Sequence, residues 1–114
     1  MESRAKLRYY RSSPRKVRLL TDMVRGKPVE PSLTSLKLST KYAAKDVEKV
    51  VRSALANLEQ AQPGVDVDKV FIRKIAVDDG PRLKRGRPAS KWVRYHRIMK
   101  RMCHITVELA VREN

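Results

Sequence analysis

The N-terminal segment of the chain alternates apolar and polar positions. Ala5, Leu7 and Tyr9 fall on one side of residues 4–10, and the other side is entirely basic. Successive side chains of a strand point to opposite faces, so this pattern predicts a short strand with one buried face. Residues 103–111 alternate in the same way and predict a second strand near the C-terminus.

A third strand is predicted over residues 70–77, which are rich in β-branched side chains. We expect it to pair as an antiparallel neighbour of residues 103–111. Cys103 opens the apolar face of the C-terminal strand and is the only cysteine. It cannot form an internal disulfide, and we expect a small core residue rather than a reactive thiol.

Three segments carry apolar residues at the three-four spacing of a helix. The first begins at Pro14, after Ser13 as a capping residue, and stops at Gly26. Pro31 is predicted to open a short second helix, and the third spans about residues 40–62. The predicted fold class is therefore α+β, three helices packed on a small three-stranded antiparallel sheet. The apolar stripes are Val17, Leu20, Met23 and Val24, then Leu33 and Leu36, then Val47, Val50, Val51, Ala54, Leu55 and Leu58.

The charge of the chain is strongly unbalanced. Among 114 residues, 27 are Lys or Arg and 12 are Asp or Glu, which gives a net charge of +15. Such an excess repels itself, and its natural partner is a polyanion, nucleic acid before an anionic membrane. The N-terminus does not resemble a secretory signal, and no stretch approaches the ~20 apolar residues of a spanning helix. We expect a single domain over residues 1–114, in the cytoplasm and without a membrane partner.

The densest charge lies between the last two predicted strands. Residues 82–101 contain nine basic side chains and no acidic one. Gly86 and Pro88 predict a turn, so residues 80–102 are expected to form an extended hairpin that reaches ~30 Å beyond the body. Arginine and lysine suit phosphate contacts, and the interleaved Trp92 and Tyr95 can stack on unpaired bases. This combination favours RNA.

No catalytic, metal or cofactor site is evident in the sequence. His96 and His104 have no carboxylate or thiolate at ligand spacing, and a turn before Gly80 and Pro81 explains the Asp pair at residues 78–79. An RNA-processing enzyme is the weakest of three hypotheses about function, and a structural ribonucleoprotein component is the strongest. A DNA-binding architectural protein is the alternative, because a basic hairpin can enter a minor groove.

Four segments resemble a known family. RSSPRKVRLL with RGK after it, SALANLE, VDDGPRLKRGRP and RIMKRMCHITV stand in the order and spacing of the L-twenty-two family of bacterial large-subunit ribosomal proteins. The resemblance runs over nearly the whole chain. It implies an α+β body with a long hairpin, ribosomal RNA binding early in assembly, and a hairpin tip that lines the peptide exit tunnel. It also implies neighbouring ribosomal proteins and the nascent peptide as partners, and no homo-oligomer.

The resemblance and the hairpin charge together give a set of expected RNA-binding residues. Residues 91–94 depart from a Gly-Arg-Ala run that is usual in the family, and Pro31 is unusual in the second helix, which we expect to be short or shifted. His104 and Thr106 lie in the matched HIT stretch. The expected RNA contacts are Arg11, Ser12, Arg15, Lys16, Arg18, Arg25 and Lys27 in the body and Arg82, Lys84, Arg85, Arg87, Lys91, Trp92, Arg94, Tyr95, Arg97, Lys100 and Arg101 in the hairpin, with Arg87, Pro88, Ala89, Ser90 and Lys91 as the tunnel tip.

Overall fold

The computed structural model describes residues 2–88 and 95–112. Within them, three helices pack against a three-stranded antiparallel sheet of order β1-β3-β2, which confirms the predicted α+β class. The elements are β1 (Glu2–Tyr10), α1 (Pro14–Val24), α2 (Val29–Leu38), α3 (Ala44–Ala61), a 3-10 turn (Val67–Lys69), β2 (Val70–Pro88) and β3 (Tyr95–Val111).

Strands β2 and β3 pair as predicted, and both continue beyond residues 70–77 and 103–111 into the region where a long hairpin was predicted. Their ladder runs from Val70↔Val111 through Asp79↔Cys103 and on to Pro88↔Tyr95. Among the residues of β2 whose side chains are described, Val77 is the last one that is buried, so the helices cover only the first part of this ladder. The molecule measures 66 × 24 × 18 Å, and its radius of gyration of 17.6 Å exceeds the ~13 Å of a compact chain of this length.

The core lies between the helices and the covered half of the sheet. Val17, Leu20 and Val24 of α1 are fully buried, as predicted, whereas Met23 is exposed. Thr21 is buried in the same stripe and satisfies its hydroxyl by donating to the Arg18 carbonyl at 3.1 Å. Other fully buried large side chains include Val29, Leu36, Val47, Val51, Leu58, Ile72, Ile75, Ile105 and Leu109.

Cys103 is buried in this core, as predicted. Burial raises the pKa of its thiol, since the thiolate would be poorly solvated there. The neutral thiol therefore packs as a small apolar group.

The end of β1 differs from the prediction, because Tyr9 is 61% exposed and Tyr10 packs on the core instead. The register passes from Leu7↔Ile105 to Tyr10↔Cys103, so two residues of β1 oppose one residue of β3. Tyr9 adopts a positive φ of 57° at this β-bulge. The extra residue reverses the alternation of faces, which a period of two cannot anticipate.

The bulge directs the Tyr10 hydroxyl toward α3, where it donates to Asp46 Oδ2 at 2.6 Å. Burial, and then this hydrogen bond, raise the pKa of Tyr10. We expect Tyr10→Phe to lower the free energy of unfolding by about 1–2 kcal/mol, because Asp46 is half-buried and would lose a charged hydrogen bond. Urea unfolding measures this change. Tyr9→Phe is the matched control and should stay within about 0.5 kcal/mol, and equal losses in both variants would contradict the assignment.

A second bulge replaces the turn that was predicted at Gly80 and Pro81. The register moves from Asp79↔Cys103 to Arg82↔Arg101, so Gly80 and Pro81 together oppose Met102 and β2 continues. A bulge accepts a proline because one residue there leaves the ladder. A Cβ on Gly80 would lie 3.2 Å from backbone atoms of Met102, and glycine permits this close approach.

At the helix ends, the structure differs from three further predictions. Pro14 opens α1 as predicted, but within the described residues the Ser13 side chain makes no capping hydrogen bond. Helix α2 begins at Val29, so Pro31 stands inside its first turn, where an amide N–H has no helical partner to lose. Helix α3 begins at Ala44 rather than near residue 40.

Candidate nucleic-acid interface

An open groove of about 1160 Å³ lies where the start of α1, the loop before α3 and β3 meet. We call it the basal groove, because it sits at the base of the projecting β2–β3 arms. It brings together three parts of the chain that are far apart in sequence. Its lining residues are Arg11, Ser12, Ser13, Arg15, Lys16, Leu19, Leu20, Lys41, Tyr42, Ala43, Met99, Lys100 and Arg101.

The local fold places these side chains. After the β1 bulge, a turn closed by the Ser12 N–H on the Tyr10 carbonyl at 2.9 Å leads into Pro14. Proline fixes the first turn of α1, which carries Arg15 and Lys16 on its exposed side. Leu20, one turn further, is fully buried and holds this helix on the core.

The electrostatics of the groove suit an anion. Six of its lining residues are basic, and none of the described residues that line it is acidic. The first turn of α1 also has no acidic residue, so the positive end of the helix dipole is left uncompensated there. Clustered cations at a helix N-terminus attract phosphate.

The sequence predicted only part of the basal groove. Arg11, Ser12, Arg15 and Lys16 meet Lys100 and Arg101 there, as residues of one surface. It missed Lys41, Tyr42 and the exposed apolar Leu19 and Met99. Lys41 and Tyr42 had been assigned to the start of a helix, and the later start of α3 leaves them on a loop.

The side chains of Arg18 and Arg25 are hydrogen-bonded to the sheet and are not only surface charges. Arg18 Nη2 donates to the Val77 carbonyl at 2.9 Å, and Arg25 Nη2 donates to the Ile75 carbonyl at 2.9 Å. Both acceptors lie on β2, an edge strand, whose unpaired carbonyls are thereby satisfied. Lys27 lies away from the basal groove, since its carbonyl accepts from the Ile72 N–H at 3.0 Å at the far end of the sheet.

The hairpin arms continue from the groove. Arg82 faces Arg101 across the ladder, and Arg82 and Lys84 are both exposed. Like charges opposite one another oppose pairing, and a bound anion would relieve that repulsion. The backbones of Arg85, Arg87, Pro88, Tyr95 and Arg97 belong to the paired strands, and Ala89, Ser90, Lys91, Trp92 and Arg94 lie outside the described residues.

On the face of the sheet opposite the helices, Glu108 is buried although it was predicted on a polar face. Its carboxylate accepts from Arg4 Nη2 at 2.7 Å and from Arg73 Nη2 at 2.9 Å, and Arg73 also pairs with Glu2. The hydrogen bond from Arg73, more than any other contact, holds the pKa of Glu108 below its ordinary value. The cluster ties all three strands together.

This cluster predicts a dependence of stability on pH. The folded-state pKa of Glu108 is depressed, so its contribution is complete above the ordinary value of about 4.3 and is lost as the pH falls through the folded value. We expect Glu108→Gln to unfold more easily than the parent protein at pH 7, with the difference shrinking toward pH 3. Urea midpoints at pH 7, 5, 4 and 3 measure it. Glu59→Gln at an exposed site is the control, and curves for Glu108→Gln that run parallel to the parent would contradict the prediction.

The described residues hold neither a candidate metal site nor a candidate membrane-spanning helix. Within residues 2–88 and 95–112, no group of three His, Cys, Asp or Glu side chains is placed to hold a metal ion. Over the same ranges, no helix is long and apolar enough to cross a membrane.

The fold and the basal groove define a small basic α+β protein with a surface suited to a polyanion. The model of the family described as ribosomal protein L22p/L17e matches residues 5–110. The large ribosomal subunit protein uL22 of Syntrophotalea carbinolica is 54% identical over 110 residues, 96% of this chain and 97% of that protein. The protein of the same name from Maridesulfovibrio salexigens is 50% identical over 107 residues, 94% of this chain and 96% of that protein.

The chain therefore belongs to the L22p/L17e family of ribosomal proteins, which confirms the resemblance seen in its sequence motifs. Its role is structural and not enzymatic, as expected, and its place is the large ribosomal subunit in the bacterial cytoplasm. Membership of this family argues against the alternative hypothesis, a DNA-binding architectural protein.

Proposed function

We propose that the chain binds large-subunit ribosomal RNA during assembly, through the basal groove and the arms of a hairpin formed by residues 80–102. The observation that carries this proposal is the convergence of six basic side chains from three separate segments in one groove. Packing alone gives no reason to gather them, because like charges repel. A phosphate backbone supplies the compensating charge.

The body and the hairpin have different parts in this proposal. Residues 1–114 act as one domain, whose body docks on RNA through Arg11, Ser12, Arg15 and Lys16. Arg18, Arg25 and Lys27 add contacts around α1. The arms extend the contact through Arg82, Lys84, Arg85, Arg97, Lys100 and Arg101. Arg87 and Lys91 add contacts at the tip, and Trp92, Arg94 and Tyr95 add contacts on the returning arm.

The hairpin tip, residues 87–91, is proposed to line the peptide exit tunnel and to meet the nascent peptide. The length of the molecule, 66 Å, supports a tip that is distant from the RNA-docked body. One copy is expected per particle, beside other ribosomal proteins and without self-association. Deleting residues 86–91 should leave the protein in the large subunit but abolish cross-links between the protein and a nascent chain. Unchanged cross-linking to the shortened hairpin would argue against a tunnel tip.

Sedimentation on sucrose gradients tests the RNA-binding role. The tagged protein should migrate with the large subunit at about one copy per particle and should be released by RNase but not by DNase. Raising the salt should weaken its attachment steeply, because each of many phosphate contacts releases counterions on binding. Migration as free protein, or release by DNase, would overturn the proposal.

A further inference from the structure

Tyr42 stands out among the residues of the basal groove, because it is an aromatic side chain with 87% of its surface exposed. Large aromatic rings usually bury most of their area. The loop that carries this ring is fixed by its own hydrogen bonds: the Lys41 N–H donates to Ser39 Oγ at 3.3 Å, and the Ala44 N–H donates to the Lys41 carbonyl at 3.2 Å. The ring is therefore presented on an ordered turn without being used in the core.

The surroundings of the ring identify what it can bind. Lys41 is its neighbour in sequence, and Arg11, Arg15 and Lys16 line the same groove. Leu19 and Met99 add exposed apolar surface to the lining. A flat aromatic surface among cations matches a nucleotide, whose base stacks while its phosphates pair with the basic side chains.

An unpaired nucleotide fits this site better than a duplex does. In an RNA duplex the faces of the bases are covered by their neighbours, so an aromatic ring can stack only on a base that has left the helix. The opening of about 1160 Å³ has room for such a base with its sugar and phosphate. A protein partner could cover the apolar surface, but it would also have to supply negative charge for six basic side chains.

We propose that the basal groove receives an unpaired RNA nucleotide and that its base stacks on the ring of Tyr42. The inference rests on the proposed RNA-binding role and adds a preference for single-stranded over paired RNA. Lys41 and Arg15 hold the flanking phosphates. The hydroxyl of Tyr42 is not needed for stacking, so phenylalanine should serve equally well.

Fluorescence anisotropy with the full-length protein tests the proposal, using a labelled 12-nucleotide oligoadenylate and an RNA duplex of the same length at one fixed salt concentration. Tyr42→Leu should weaken binding of the single strand about 5- to 150-fold, the range that corresponds to one stacked base. Its affinity for the duplex should change less than about twofold, and Tyr42→Phe should match the parent protein on both probes.

Two further variants make the measurement specific. Tyr9→Leu removes another exposed tyrosine, which is not among the residues that line the groove, and should keep the parent affinity. Tyr42→Trp in a Trp92→Phe background gives a single indole, whose fluorescence should be quenched by the oligoadenylate and not by the duplex.

The outcomes separate the two proposals. If the parent protein binds neither RNA, the proposed function and the stacking inference both fail. If it binds RNA but Tyr42→Leu keeps the single-strand affinity, or loses both affinities equally, only the stacking inference fails. The groove would then be a plain phosphate site or the seat of a protein partner.

Discussion

Replacing Arg15, Lys16 and Arg101 together by glutamine should weaken RNA binding by about 100- to 500-fold near 0.1 M salt. All three side chains line the basal groove. Each phosphate contact releases counterions and adds about 0.7–0.9 to the slope of log affinity against log salt concentration. Near 0.1 M salt, this slope makes each contact worth a factor of roughly 5–8 in affinity. Binding titrations at several salt concentrations would measure both the affinity and its slope, which should fall by about two.

The matched control removes the same charge elsewhere. Lys45, Lys49 and Lys69 are exposed basic residues outside the set that lines the groove, and their triple replacement by glutamine should change affinity far less. Circular dichroism should find both variants folded, because none of the six side chains is buried. Equal losses in the two triple variants would mean that net charge, and not the groove, attracts the RNA.

The elements of the fold could be predicted because their signals are local. The stripe of Val17, Leu20 and Val24 and the alternation from Cys103 to Leu109 each describe one buried face, and both faces are buried in the structure. Charge along residues 82–101 likewise pointed to nucleic acid without reference to any contact. Periodicity and charge are properties of a single segment.

The bulges were not predictable in the same way. At Tyr9 and at Gly80 the register is set by the partner strand β3, which is distant in sequence. A turn and a bulge also use the same residues, glycine and proline, so residues 78–81 carry a signal for either.

The groove depends on tertiary structure for a similar reason. Tyr42 and Met99 are unremarkable in sequence and become neighbours of Arg15 only when the loop before α3 and the base of β3 meet α1. The matched segments identified Arg15 and Lys100 separately and gave no indication of a shared site. Conversely, the sequence predicted the same RNA-binding role for Arg18 and Arg25 as for Arg15. In the structure, Arg18 and Arg25 also donate hydrogen bonds to carbonyl groups on the edge strand β2.

Leu20→Ala should have the largest effect on stability, lowering the free energy of unfolding by about 2–5 kcal/mol. Leu20 is fully buried where α1 packs on the core, so alanine would leave a cavity that its rigid neighbours fill only in part. Small domains have a total stability of only about 5–15 kcal/mol. Among the arm residues whose side chains are described, none beyond Val77 and Cys103 is buried, so the arms add nothing there to the core. Urea unfolding followed by circular dichroism measures the loss as a shift in midpoint at unchanged slope.

Leu19→Ala is the control, since it removes the same atoms one position earlier. Leu19 is 55% exposed in the basal groove, and its replacement should cost less than about 1 kcal/mol. If Leu19→Ala were as costly as Leu20→Ala, α1 would have to be turned about its axis, and Arg15 and Lys16 would no longer face the groove. The pair of variants therefore tests the helix orientation on which the proposed RNA site depends.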